Sequence, residues 1–233
     1  MMTNLFVLCE GQTEEHFVKN ALHEYLSEFG INVIARIVGS NRRGNGGISK
    51  YADFLRDMKV LISSQKDSME YRVFFTTMID LYELPADFPG KKDKDTPKDI
   101  YPFIDHIEKC FAEDIEKKCN RTIIPHIQLH EFESLVFAGL DELKYLKQES
   151  NKTENAIAIL KDQLRKCGNN PEMVNTSYYT APSRRLENAF AEFAKYSKIV
   201  DGNDTVELVT IPVLKERCHH FGEWIDRLEQ LNK

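Results

Sequence analysis

The chain has 233 residues and a mass of 27.0 kDa, 42% hydrophobic and 29% charged, a balance that excludes disordered and collagen-like classes and suits one large α/β domain, alone or with a helical appendage. Its formal net charge of −6 excludes a bulk electrostatic grip on nucleic acid, though not a local one. No apolar run approaches the roughly 18 residues of a membrane span, and the start lacks the basic flank and cleavage region of a signal peptide, so a cytoplasmic protein is expected. The cysteines Cys9, Cys110, Cys119, Cys167 and Cys218 include no C-x-x-C pair and read as reduced thiols.

Leu5 to Leu8 form a continuous apolar run, as in a strand buried on both faces. From Phe17 the apolar positions become Phe17, Ala21, Leu22, Tyr25, Leu26 and Phe29, the spacing of one helical face. Glu10 therefore falls at the carboxyl end of a strand, just before a helix, where open α/β sheets bind ligands. A second strand is expected over 31–38, followed by the glycine-rich "GSNRRGNGG". Arg36, Arg42, Arg43 and Lys50 lie in a window, 36 to 50, that contains no acid, which makes it the candidate phosphate-facing patch. A helix follows through Tyr51, Phe54, Leu55, Met58, Leu61 and Ile62.

A third strand, over 71–79, ends directly on Asp80, and "LYELPADFPGKKDKDTPK" then marks a long exposed loop. The pattern predicts a helix over 99–118, with Ile100, Phe103, Ile104, Ile107 and Phe111 on one stripe. "RTIIPHIQLHEFESLVF" reads as a strand ending at His130-Glu131 and turning into a helix. Beyond Gly139, helices are predicted over 153–166, over 183–197, and from near Pro212 to Leu231. The expected fold is α/β: a mostly parallel central sheet flanked by helices in residues 1–138, with a helical C-terminal part, 139–233, packed on it.

Three strands thus end in acids: Glu10, Asp80 and Glu131. If the strands are parallel neighbours, these acids converge on one crevice. Clustered carboxylates raise one another's pKa and are costly to hold together unless a cation neutralises them. Oxygen-only donors select hard cations, Mg2+ or Mn2+, which promote phosphodiester hydrolysis. Glu14, one helical turn past Glu10, is placed to face the same ion. Glu131 and Glu133 share a face if the strand continues and diverge if a helix starts at His130. His130 itself reads either as a general acid or base or as an orienting, packed histidine. Arg184 and Arg185, after Pro182-Ser183 at a helix start, read as a phosphate site or as a solvated face.

These residues carry a resemblance. "EGQTEE" after the first strand, Asp80-x-Tyr82, and "HEFE" at 130–133 resemble a bacterial family catalogued as domain of unknown function 4276, as do "RRGNGGISKY", "YELPADFPG", "APSRRL" and "CHHFGEWI". That family is TOPRIM-like and related to the nuclease domains of overcoming-lysogenization-defect proteins; several such domains are encoded beside an ATPase in phage-defence or abortive-infection operons. The resemblance implies a TOPRIM-like Rossmannoid fold and a Mg2+- or Mn2+-dependent nuclease acting on DNA or RNA, an antiviral effector and toxin working with a partner ATPase. Glu10 matches the first-strand glutamate, Glu14 completes E-G-x-x-E, and Asp80 matches the first acid of D-x-D. Tyr82 stands where the second acid belongs, so that a full two-metal site requires Glu131 or Glu133 to supply that ligand. Lys198 would offset transition-state charge, or is a plain surface lysine. The departure at Tyr82 favours an alternative, a non-catalytic scaffold subunit that binds an ATPase or nucleic acid; a metal-dependent phosphatase or nucleotidyl transferase would use the same acids.

Overall fold

In the computed structural model, which describes residues 2–38, 48, 50–91, 99–147, 150–175 and 180–233, the first apolar run forms β1 (Met2–Cys9) with Leu5, Val7, Leu8 and Cys9 fully buried. β1 pairs in parallel with β2 (Ile31–Ile37) on one side and with β3 (Tyr71–Asp80) on the other, and β4 (Ile127–Gln128) adds beyond β3, giving the order β2-β1-β3-β4. Parallel neighbours need crossover connections, and helices supply them. The first crossover is α1 (Gln12–Phe17), a π-helical segment (Val18–Leu22) and α2 (His23–Ser27); the others carry α3 (Tyr51–Ser64) and α4 (Ile100–Cys119). Because the chain leaves β1 toward β2 and later returns to β1's other side, the strand order reverses between β1 and β3, where such sheets open a crevice at the carboxyl ends.

α4 buries Ile100, Ile104, Ile107 and Phe111 of the predicted stripe, with Ile115 in addition, while Phe103 is only half-buried, and it ends at Asn120 in the left-handed conformation (φ 50°). Against it α3 contributes Tyr51 and Phe54, and the rings of Tyr51, Phe54, Phe88 and Phe111 lie 5.0–6.4 Å apart. Each fully buried ring of this kind stabilises the fold by roughly 2–3 kcal/mol.

The expected strand through 130 is much shorter. Only Ile127–Gln128 joins the ladder, with one isolated bridge from Ile124 to Thr76. Pro125 between them has no N–H to donate. The Ile127 N–H also donates to the Glu108 carboxylate at 2.7 Å. His130 then takes a left-handed backbone (φ 66°) that turns the chain out of the sheet.

Two compact units result: Met1–Gln128 with Asp226–Lys233, and Leu129–Ile225. The second unit is helical, with α5 (Glu133–Val136), α6 (Leu143–Leu146), α7 (Asn151–Lys166), α8 (Pro182–Phe190), a π-helical segment (Lys198–Gly202), α9 (Asn203–Val209), α10 (Ile211–Arg217) and the start of α11 (His219–Glu229). Two predicted helices are corrected here. The one expected over 183–197 stops at Phe190, and the one expected from Pro212 to Leu231 breaks at Cys218. The buried Glu172 accounts for the break: its carboxylate accepts the backbone N–H groups of His220 (3.1 Å) and Phe221 (3.0 Å), capping a new helix start. All five cysteines are free thiols. Among the described residues no helix is long and apolar enough to cross a membrane.

Candidate active site

In the first unit, Glu10 follows β1 directly and is 6% exposed. Its Oε2 accepts the backbone N–H of Asp80, the last residue of β3, at 3.0 Å. That bond crosses the point where the strand order reverses. Burial raises the Glu10 pKa from 4.5 to about 8; the N–H groups of Asp80 and Ile48 pull it down, and the charges of Glu14 and Glu83 push it further up. Glu14, also 6% exposed, is folded back so that its Oε2 accepts the Gly11 N–H at 2.9 Å, the return arm of a capping box. Tyr82 is half-buried in the turn after β3. Sequence reasoning missed Glu83, whose N–H bonds back to the Asp80 carbonyl at 3.2 Å. An acid one residue beyond Tyr82 was the available signal.

In the second unit, the left-handed turn at His130 presents Glu131 and then Glu133, the first residue of α5. Neither of the two expected geometries occurs, yet both carboxylates reach one ammonium: Lys198 Nζ lies 3.3 Å from Glu131 Oε2 and 3.5 Å from Glu133 Oε1. The carboxylates are 8% and 1% exposed as residues, whereas the Lys198 side chain is 45% exposed. Glu131 is fixed further by Ser183 at the start of α8, whose N–H and hydroxyl both donate to Oε1 at 2.8 Å. This uses a helix N-terminus to hold an anion. Ser183 lies inside the "APSRRL" block, but nothing in the sequence pairs it with Glu131.

His130 is engaged at both ring nitrogens. A carbonyl can only accept, so Nε2 carries the proton and donates to the Glu172 C=O at 2.9 Å, which leaves Nδ1 to accept from Asn175 Nδ2 at 3.2 Å. Burial lowers its pKa, in keeping with a neutral, orienting imidazole. Tyr196, 5% exposed, has a hydroxyl without a hydrogen-bond partner among the described residues, and burial, with Glu133, Asp201 and Glu131 nearby, pushes its phenol well above the ordinary value.

Of the basic residues, Arg42 and Arg43 lie outside the described residues. Lys50 is exposed immediately before α3, and Arg36 sits with its guanidinium 5.9 Å from the Phe6 ring centroid. Arg184 is paired with Glu187 at 2.8 Å on the surface. Arg185 donates from Nε to the Thr180 carbonyl at 2.7 Å and lines an open cavity of about 480 Å³ with Lys152, Asn155, Gln163 and Asn188.

No curated protein compared with the chain matches it. Among solved structures, the C-terminal region of the Burkholderia pseudomallei OLD protein is similar at 15% identity, over 96% of this chain and 98% of that one, with a TM-score of 0.39. Residues 9–229 match the family described as Domain of unknown function (DUF4276), and with nearly the whole chain matched the protein belongs to that family.

Proposed function

We propose that this chain is a divalent-metal-dependent nuclease that hydrolyses phosphodiester bonds in DNA or RNA. The observation that supports this best is Glu10: a carboxylate buried at the crevice end of β1, beside Glu14 and Glu83 and bonded to the Asp80 backbone, with a pKa pushed up to about 8. A group this costly to ionise is brought back to its charged form by a hard cation, and the oxygen-only donor set around it fits Mg2+ or Mn2+.

Glu10, Glu14 and Asp80 in the first unit, and Glu131 and Glu133 in the second, are the residues that would hold such ions. Bound there, the ion supplies Lewis-acid stabilisation of the charge that develops on phosphate oxygens. The chain's own groups do the rest. The Asp80 N–H fixes the direction of the Glu10 carboxylate. Ser183 does the same for Glu131. Lys198, half-exposed beside two buried carboxylates, offers its ammonium to a phosphate. His130, bonded at both nitrogens, orients the turn rather than moving a proton.

The resemblance that led to the family adds the setting: a cytoplasmic effector in phage defence, controlled by a partner ATPase and toxic when released. The decisive experiment is cleavage of labelled DNA and RNA by the purified chain, with and without a co-expressed ATPase, in Mg2+, Mn2+ or EDTA. Metal-dependent cleavage that Glu10→Gln or Asp80→Asn abolishes supports the reading. Cleavage that persists in EDTA, or a fully active Glu10→Gln protein, refutes it and moves the non-catalytic scaffold to first place, the reading that Tyr82 in the D-x-D position favours.

A further inference from the structure

Lys198 begins the π-helical segment Lys198–Gly202, and the backbone around it is held by a device that the proposed reaction does not itself use. Lys147, 48 residues or more away in sequence, places its Nζ where it donates both to the Lys195 carbonyl at 2.9 Å and to the Asp201 carboxylate. The same Asp201 Oδ2 accepts the Ser197 N–H at 2.6 Å. Residues 195, 197 and 201 are thus tied to one buried ion pair, whose side chains are 9% and 10% exposed. Further ties close the turn: Ser197 Oγ accepts the Val200 N–H at 3.3 Å, and Thr205 Oγ1 donates to the Asp201 carbonyl at 2.6 Å. Tyr196 is seated against Gly202, where an added Cβ would lie 2.9 Å from the phenolic oxygen.

Two charges taken out of water stabilise a fold little when compared with apolar side chains of the same size. A π-helical turn is an uncommon conformation that recurs at functional positions. The pair is bonded to both ends of the three residues that carry Lys198, and so fixes the Cα from which the ammonium reaches Glu131 and Glu133. We infer that Lys147 and Asp201 are positioning residues for Lys198: they hold the 195–201 turn so that its ammonium stays between the two carboxylates.

This inference rests on the nuclease reading for its catalytic consequence, but not for its structural one, and the test separates the two. The structural arm is the acylation rate of Lys198 by an N-hydroxysuccinimide ester, read by mass spectrometry on the full chain. In Lys147→Met, Lys198 should react at least about 3-fold faster, as expected when an anchored segment loosens by a fraction of a kcal/mol. Lys147→Arg, which keeps the charge and donors, should restore much of the slow rate. The catalytic arm is kinetic. Lys147→Met should lower kcat by about 10- to 100-fold with KM little changed, the size of effect that an ångström of misplacement produces. The same substitution in a Lys198→Met background should cost almost nothing more, because the group it positions is gone. Asp201→Asn, which keeps an acceptor for Ser197, serves as the second variant if Lys147→Met folds poorly, and the same outcomes apply to it. An unchanged Lys198 labelling rate, or equal kcat losses with and without Lys198, overturns the inference. If the wild type cleaves nothing, the nuclease reading falls and the labelling arm alone decides whether the turn is held as described.

Discussion

Replacing Glu10 by Gln changes one atom's chemistry at the end of β1 and keeps an oxygen to accept the Asp80 N–H. The folded protein holds the Glu10 proton more tightly than the unfolded chain, since its pKa rises from 4.5 to about 8. Stability from this group is therefore complete below pH 4.5, falls as the unfolded carboxyl ionises, and is fully lost above about 8. That interval corresponds to about 5 kcal/mol, of which roughly 1 is lost by pH 5 and about 3 by pH 7. In EDTA, urea unfolding should show Glu10→Gln exceeding the wild type by about 1 kcal/mol at pH 5 and by about 4–5 kcal/mol at pH 9. Titrating groups that do not interact with Glu10 cancel in that difference, while Glu14 and Glu83, whose charges act on it, contribute to it. Adding Mn2+ at pH 8 should then raise the wild type by about 2.7 kcal/mol at 100 times its Kd and leave the variant nearly unmoved. Wild-type and variant stabilities that run parallel from pH 5 to pH 9 would show that Glu10 is not the strained acid described here. Equal stabilisation of both by Mn2+ would remove it from the ligand set.

Ser183→Ala deletes the hydroxyl that donates to Glu131 but keeps the backbone donor; it should cost about 1–2 kcal/mol in a thermal or urea melt and about 10-fold in kcat, and Ser183→Thr should recover most of both. Glu172→Ala strands the buried N–H groups of His220 and Phe221 and should destabilise by about 2–5 kcal/mol, with Glu172→Gln losing roughly half of that in the same melt. Arg42→Ala with Arg43→Ala should weaken binding of a labelled oligonucleotide about equally across sequences and reduce the salt slope by about 2, as loss of two phosphate contacts does; an unchanged slope would leave the window a solvated loop.

The strands that hold Glu10 and Asp80 were legible because burial on both faces writes itself as an unbroken apolar run, and the run stops where the carboxylate starts. α3 and α4 were legible for the complementary reason, a single apolar stripe. What failed was set by contacts distant in sequence. Nothing near Cys218 signals a helix break; the stop comes from Glu172, whose carboxylate supplies two acceptors to a helix start 48 residues on. The expected helix to 197 ends at Phe190, and beyond it the Lys195 carbonyl and the Ser197 N–H are bonded to Lys147 and Asp201 instead, against a local pattern that would have carried on. Glu131 and Glu133 meet at Lys198 through a left-handed histidine, a conformation that a sequence flags only when glycine or asparagine occupies it. The site's acids were therefore visible one by one, while the groups bonded around them, Ser183 on Glu131, Asn175 on His130 and Lys147 on Asp201, were not.

The central position of β1 bears on how the chain is made. This strand is translated before either partner, yet it is bonded along nearly its whole length to β2 and β3. From Cys9 to Asp80 a ribosome working at about 5–20 residues per second needs roughly 4–14 seconds. For that time Leu5, Phe6, Val7 and Leu8 have no finished sheet to enter. Parallel pairing adds delay, because each partner arrives only after its crossover helix closes a long loop. The nascent chain consequently leaves this apolar segment without both of its neighbours until β3 is made. Slowed synthesis between β1 and β3 should raise aggregation and chaperone dependence, whereas the same slowing beyond β4 should have little effect on either.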